Sequence, residues 1–431
     1  MAPSKIIIDT DPGVDDVLAM LLAFAAKPEE LEVLMLSLTF GNVEVQNCLR
    51  NVVTLFHYIE KEKAWRRENG RPEGFEGLTT RKPIVAVGAE EPLAEHMMVA
   101  DFFHGVDGLG GIHHSHPHLS PEETWKSLFK PTPEPISPEE AADLQKVKET
   151  HSLFTPSLKP AHEVILQLLR DNEPDTITIV AIGPLTNLAI AAATDPEAFL
   201  RVKEVVVMGG AVNWPGNMTP GAEFNTYADS IAAARVYALT SPNPKTTLPP
   251  VVGKKALPPY PENLSRRLTV KLFPLDITEQ HLLPRTLYSK YIEADALKGS
   301  PLTEWASLFL LSTFRKIASL DSHLDADTIG LHLHDPLTVW YAMAAEDEGW
   351  KFVTEDLRVE TSGQWTRGCC IVDRREREVK EGLTGSLDEE VVGDAGGWRD
   401  ARRGNRIQRA VESPGAEKFA GLLLERVFGK V

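Results

Sequence analysis

Short apolar, β-branched runs alternate along this chain with stretches patterned for helices. The first run, Ile6-Ile7-Ile8 after Lys5, reads as a buried strand. Val14 to Ala26 then reads as a helix, with Val17, Leu18, Leu21, Leu22 and Ala25 on one face. Further strand-like segments are Val33 to Thr39, Ile84 to Val87, Ile177 to Ile182, Val205 to Met208 and Val270 to Ile277. The alternation predicts βαβ units and a mostly parallel sheet. At 431 residues the chain has room for one large α/β domain or two smaller ones, and it shows no internal repeat.

Three stretches interrupt the pattern and read as inserts. Residues 113–160 are Pro-rich and hold two Ser-Pro-Glu-Glu starts, at Ser120 and Ser137. Each Ser is a candidate N-cap with Pro in the first helical position, so two short surface helices are expected. Residues 241–263 carry seven prolines and are expected to form an irregular loop. Residues 373–406, dense in Arg, Glu, Asp and Gly, are expected to be a mobile excursion. Ala416 to Phe428 reads as a closing amphipathic helix.

Charge and cysteine content narrow the class. Lys+Arg 45 against Asp+Glu 62 gives a net charge of −17, which argues against nucleic acid or an anionic membrane as main partner. Cys48, Cys369 and Cys370 cannot build a disulfide framework, and the last two are adjacent, which points to a reducing compartment. The first strand begins almost at once, with no signal-like segment and no run long enough to span a bilayer. A cytoplasmic protein is expected.

The chemistry gathers just after the first strand. In Asp9-Thr10-Asp11-Pro12-Gly13-Val14-Asp15-Asp16 four carboxylates fall within eight residues around a Pro-Gly turn. Asp15 and Asp16 lie in the first helical turn, where the helix dipole favours negative charge. Acids collected at the carboxyl end of a strand sit where open α/β sheets bind ligands. Their mutual repulsion calls for a cation, and hard divalent ions take such oxygen ligands. A helix cap alone needs only one acid.

Four other segments are candidates to join this loop. Asn42, in Phe40-Gly41-Asn42, follows a strand. Ala181-Ile182-Gly183-Pro184-Leu185-Thr186-Asn187-Leu188 follows another, and its turn could aim a backbone carbonyl at a cation. Met208-Gly209-Gly210, Gly216-Asn217, Ala222-Glu223-Phe224-Asn225 and Asp229 offer carboxylate and amide groups suited to a polyhydroxylated sugar. The alternative for that loop is satisfaction of its own backbone. His334-Asp335-Pro336 is a plausible N-cap with Pro at the first helical position, and it also sets a proton donor beside an acid. The tract His113-His114-Ser115-His116-Pro117-His118 is better read as a polar loop than as a metal site, because it lacks a rigid frame.

Together these segments resemble the nucleoside hydrolase family, the inosine–uridine-preferring N-ribohydrolases. The resemblance runs from Lys5 to about Val372 and resumes in the last helix, with the three inserts outside it. It rests on Asp-x-Asp-Pro-Gly-x-Asp-Asp, Met-Gly-Gly, Ala-Glu-Phe-Asn and the late His-Asp-Pro. It implies one α/β domain over residues 1–431, built on a mainly parallel, mixed central sheet with helices on both faces. It also implies a Ca²⁺ ligated by Asp11, Asp16, Asp335 and the backbone carbonyl of Ile182. Asp15, Asn42, Asn217, Glu223 and Asn225 would bind ribose hydroxyls, with Met208 packed near the sugar. His334 would face the base, and His104, in Phe103-His104-Gly105, resembles a mobile-loop histidine near the leaving group.

The chain departs from the family at two of these places. The family usually has Thr where Ile182 stands, a change that a backbone ligand tolerates. It commonly has His after the Thr of Asp276-Ile277-Thr278-Glu279, and Glu279 receives no role from the resemblance.

The implied reaction is hydrolysis of a ribonucleoside N-glycosidic bond, with Asp11 as general base and His334 protonating or hydrogen-bonding the departing base. The late His implies a pyrimidine-preferring or mixed enzyme, and the resemblance suggests a homodimer or homotetramer. Two other classes share parts of the pattern. One is a ribose- or Ca²⁺-binding relative without turnover. The other is a haloacid-dehalogenase-type phosphatase, which also places Asp-x-Asp after its first strand but does not continue with Pro-Gly-x-Asp-Asp.

Overall fold

The computed structural model describes residues 3–131, 137–250, 256–320, 329–383 and 391–431. Thirteen strands occur there: β1 (Ser4–Thr10), β2 (Leu31–Leu38), β3 (Ile84–Val87), β4 (Thr155–Pro156), β5 (Ile177–Ala181), β6 (Glu204–Met208), β7 (Val270–Phe273), β8 (Leu282–Pro284), β9 (Gly330–His332), β10 (Lys351–Glu355), β11 (Leu357–Val359), β12 (Cys370–Val372) and β13 (Ile407–Glu412). Nine of them form one sheet in the order β10-β13-β7-β6-β5-β1-β2-β3-β4. Every pairing in it is parallel except β10 with β13 at one edge. The expected mainly parallel, mixed α/β sheet is present.

The β-branched run of β1 explains its central position. Ile6 and Ile8 enter the core on one face of the sheet, and Ile7 enters a second core on the other. A strand covered on both faces must be apolar throughout, and burying each such side chain contributes about 1.5–3 kcal/mol. The period-2 alternation recurs in β6, where Val206 and Met208 face one core and Val205 and Val207 the other. A bulge between Ile6 and Ile7 in the pairing with β2 puts Leu34 and Met35 on the same side.

The chain winds outward from β1 to β2, β3 and β4, then returns to the other side of β1 for β5, β6 and β7. The sheet order therefore reverses at the boundary between β1 and β5, and the crevice beyond the carboxyl ends of these strands is the ligand position of open α/β folds. Main-chain bonds from Thr39 to Thr10 and from Ile182 to Asp9 (3.0 and 2.8 Å) tie the loops after β2 and β5 to the end of β1.

The helix Val14–Ala25 forms where expected, but it is buried nearly all round. It packs against the helices His334–Met343 and Ala416–Phe428 as well as the sheet. The Val270–Ile277 segment needs correction. The strand stops at Phe273 because Pro274 has no N–H for the ladder, and Leu275–Thr278 forms a helical turn instead.

The inserts are mixed in character, and residues 132–136, 251–255 and 384–390 of them lie outside the described residues. Ser137 caps the helix Pro138–Thr150 through the expected reciprocal box with Glu140. Ser120 starts no helix. Its hydroxyl is taken by His113 Nδ1 at 2.6 Å, and the chain makes a 3₁₀ segment at Glu123–Phe129. Described parts of 241–263 hold one short 3₁₀ turn, Pro244–Thr246, and bury Tyr260. The 373–406 stretch has no strand or helix among its described residues, yet it buries Asp394 and Asp400. All three cysteines are free. Among the described residues no helix is long and apolar enough to cross a membrane.

His113 anchors the first insert. Its Nε2 lies 2.7 Å from Asn51 Oδ1, while Asn51 Nδ2 donates to the carbonyls of Pro12 and Asp107. Burial lowers the His113 pKa to about 4, below the ordinary imidazole value of 6.5. A depressed folded-state pKa means the unfolded chain binds the proton first, so this contribution to stability is intact above about pH 6.5 and is lost as pH falls toward 4. In thermal melts from pH 7 to 4, the wild type should lose Tm more steeply than His113→Gln. Parallel Tm curves would contradict the assignment.

Candidate active site

The carboxylates of the β1 loop are buried at the switch point, and each is held differently. Asp16 is saturated. Its Oδ1 accepts from Thr10 Oγ1 (2.6 Å) and the Asp11 N–H (3.2 Å), and its Oδ2 from the Gly13 N–H (3.0 Å) and Asn42 Nδ2 (2.8 Å). The Gly13 bond also caps the helix that carries Asp16. Asp11 accepts one bond, from the Asn42 N–H to Oδ2 at 2.6 Å, and its buried Oδ1 has no partner. Asp15, Asp16 and Asp335 each present a carboxylate oxygen, all within 4.8 Å of one another.

This convergence is electrostatically costly. Burial raises the Asp11 pKa well above the usual carboxylate range, and the charges of Asp16 and Asp15 add to it. Burial and the Asp16 charge lift Asp15 to about 7. Asp335 is raised well above its ordinary value by burial and then by Asp15, Asp16 and Asp11. Acids packed this closely either share protons or hold a cation. The oxygen-only donors, the unpartnered Asp11 Oδ1 and the neighbouring Ile182 carbonyl fit a hard divalent ion.

Glycines make the approach possible. A Cβ on Gly41 would collide with Asp11 Oδ2, and one on Gly183 would lie 2.5 Å from Asp11 Oδ1. Asp11 is thus clamped between the loops after β2 and β5. Beneath it, buried Asp9 is bonded by Ser37 and by Asn187 Nδ2 (2.9 Å), which ties β1 to β2 and to the helix after β5.

Asp15 and Asp335 of the cluster line a cavity of about 680 Å³, whereas Asp11 and Asp16 are not among its lining residues; the size is typical of small-molecule sites. Asp15, Asn42, Ile182, Met208, Asn217, Glu223, Asn225, His104, His334 and Asp335 all line it. Asn225 Nδ2 donates to the carbonyls of Ile182 and Met208 (3.2 and 3.3 Å). Asn217 Oδ1 accepts from the Phe224 N–H at 2.9 Å. Glu223 is engaged by its own loop: Oε1 accepts from Asn225 N–H (2.7 Å), and Oε2 from Gly210 and Thr226 N–H (2.7 and 3.0 Å). The loop satisfies its own backbone, and it also lines the cavity. Asp229 does not line the cavity. It caps the next helix and accepts from Thr186 and Leu93.

Burial disfavours the charged form of both site histidines. His104 Nδ1 accepts from the Val14 N–H at 3.2 Å, and burial lowers its pKa to about 4. His334 faces the cavity, and its Nδ1 lies 2.8 Å from Thr278 Oγ1. Burial, followed by the nearby His332 and His104, lowers the His334 pKa to about 3. When Thr278 donates to Nδ1, the Nε2–H of His334 is free to donate. Other lining residues that the sequence reading gave no role include Phe102, Phe103, Leu282, Ile317, Leu320, Leu331, Glu279 and His332. These come from strands, helices and turns distant in sequence, and no local motif marks them.

The sequence profile described as inosine-uridine preferring nucleoside hydrolase matches residues 6–392. The chain is 28% identical to Pyrimidine-specific ribonucleoside hydrolase RihA of Salmonella arizonae, over 85% of this chain and 88% of that one. It is 35% identical to Uridine nucleosidase 1 of Arabidopsis thaliana over 54% of this chain and 53% of the relative. Among solved structures, a plant nucleoside hydrolase, PpNRh1, superposes with a TM-score of 0.64 at 23% identity, covering 99% of this chain and 100% of the other. These matches place the acidic loop with that family rather than with the phosphatases.

Replacing Gly41 with Ala should displace Asp11 without unfolding the chain. The expected loss in kcat/KM is ~100-fold, the scale of a 1 Å misplacement, with an unchanged circular dichroism spectrum. Activity within a few-fold of wild type would show that the clamp is dispensable.

Proposed function

This chain belongs to the inosine-uridine preferring nucleoside hydrolase family, enzymes that act on the N-glycosyl bonds of ribonucleosides, and we propose that it cleaves pyrimidine nucleosides, alone or alongside purines, with Ca²⁺ as its resident ion. The carrying observation is the meeting of buried carboxylates and sugar-type amide groups in the lining of a nucleoside-sized cavity. Pyrimidine use is supported by the names of two relatives, a pyrimidine-specific ribonucleoside hydrolase and a uridine nucleosidase.

Asp11, Asp16, Asp335 and the Ile182 carbonyl would hold the ion, with Asp15 beside them toward the sugar. When bound, Ca²⁺ supplies an acidified water and an anchor for vicinal hydroxyls. Asp11 is the base of choice for that water, because its buried Oδ1 accepts no other hydrogen bond. The amides of Asn42, Asn217 and Asn225 suit ribose hydroxyls, and fixed amides on a loop that satisfies its own backbone cost little reorganisation.

Cleavage passes through an oxocarbenium-like state, and the carboxylates near the sugar stabilise its positive charge. Electrons leave with the base, which takes a hydrogen bond from the Nε2–H of neutral His334 and draws its proton from solvent. The bond between Thr278 and Nδ1 orients Nε2 for this role.

Ribose release from uridine, cytidine, inosine and adenosine, with and without chelator, tests the reading. Chelator-sensitive cleavage that Asp11→Asn abolishes is expected. A folded, Ca²⁺-loaded protein that binds ribose but cleaves none of the four would favour the binding-only alternative. For His334→Ala the expected loss is about 10²–10⁴-fold in kcat, with ribose affinity nearly unchanged. An equal loss of both would remove His334 from leaving-group chemistry.

A further inference from the structure

Part of the cavity lining is apolar: Phe102, Phe103, Leu282, Ile317, Leu320 and Leu331 line it, and Glu279 and His332 stand in the same lining. His332 Nε2 lies 3.1 Å from Glu279 Oε2. The pair is not a loose surface contact. His332 ends β9, which pairs antiparallel with β8 in the register Leu282↔His332, and Glu279 ends the turn that leads into β8. A main-chain bond from Leu333 N–H to the His281 carbonyl, 2.7 Å, locks the two segments together.

The pair also adjoins the leaving-group histidine. The His332 ring stacks on that of His334, with centroids 5.6 Å apart and planes 28° apart. Thr278, which bonds His334, immediately precedes Glu279. The side chains of Glu279 and His332 are 23% and 36% exposed, and His332 Nδ1 is buried without a partner. A partly buried carboxylate among apolar side chains is costly unless it is paired and used. His332 pairs only one of its oxygens among the described residues.

We propose that Glu279 is a specificity-determining residue for the nucleobase, accepting a hydrogen bond from an N–H on the base edge away from the sugar, and that His332 is the positioning residue that aims it. An ionised carboxylate only accepts, so it selects bases that carry a donor there: the N3–H of uracil, the 4-amino group of cytosine, or the N1–H of hypoxanthine. The assignment rests on the ribonucleoside reading above, and it gives a role to a position where the chain departs from its family. A site built to receive an N–H rejects a substrate lacking it, because its polar group is left unpaired.

The test measures kcat/KM for uridine against 3-methyluridine, and for cytidine against N4,N4-dimethylcytidine. The Ca²⁺-loaded wild type is compared with Glu279→Ala, Glu279→Gln and His332→Ala, and His332→Gln serves as a variant that can still donate to Glu279. The wild type should prefer the unblocked nucleoside of at least one pair by ~10-fold or more. Glu279→Ala should shrink that preference to within ~3-fold, chiefly by raising KM for the unblocked nucleoside. Glu279→Gln, which keeps a carbonyl acceptor, should retain part of it. His332→Ala should weaken the preference with kcat largely kept, and His332→Gln should restore it.

A preference unchanged in Glu279→Ala, or equal losses for blocked and unblocked nucleosides, would overturn the proposal and leave a structural ion pair. Both of those outcomes leave ribonucleoside cleavage standing. A wild type that cleaves none of the nucleosides would overturn the hydrolase reading, and this proposal with it.

Discussion

The structure depends on four carboxylates withdrawn from water at one point. Asp11, Asp15, Asp16 and Asp335 come from the turn just after β1, the first helical turn that follows it and the start of a late helix. Their burial raises every one of their pKa values. Such a cluster opposes folding unless donors and a cation offset it. The donors are built in: Thr10, Gly13, Asn42 and the Asp11 N–H all converge on Asp16. The glycines at 41 and 183 exist where any side chain would strike Asp11. Even the first insert reaches this point, through His113, Asn51 and the Pro12 carbonyl.

The cavity beside the cluster is mixed in polarity. Its lining combines carboxylates and amides, which suit a sugar rich in hydroxyls, with aromatic and aliphatic side chains. The polar lining comes from turns after strands and from the first turns of helices. Glu223 holds part of it in place: by capping Asn225, Thr226 and Gly210 it fixes the loop that presents Asn225. Preorganised polar groups do not need to reorient as charge develops on the sugar.

The two departures from the family pattern behave differently. At Ile182 the group that meets the site is the carbonyl, which accepts from Asn225 Nδ2, so the identity of its side chain matters little to that contact. Glu279 contributes its side chain, and that side chain meets His332 on a strand far along the chain. A backbone role survives substitution, whereas a side-chain role is created or lost with it.

Local pattern was enough to reveal the strands β1, β2, β3, β5 and β6, the helix Val14–Ala25 and the closing helix, because periodicity and burial act within a few residues. The acidic loop was legible for the same reason: strand, turn, cap and four acids lie within one short segment. Where local rules competed, the sequence was ambiguous. Pro274 ended a strand that apolar character alone would have extended, and Ser120 bonded a buried histidine instead of capping a helix. The family resemblance grouped Asp335 with Asp11 and Asp16, but no local pattern did, and only the fold decided that Thr278 bonds His334 and that Glu279 meets His332 among apolar residues from distant segments. These contacts join segments 50 to more than 300 residues apart. Their energy comes from three-dimensional burial and pairing, to which a one-dimensional pattern carries no signal.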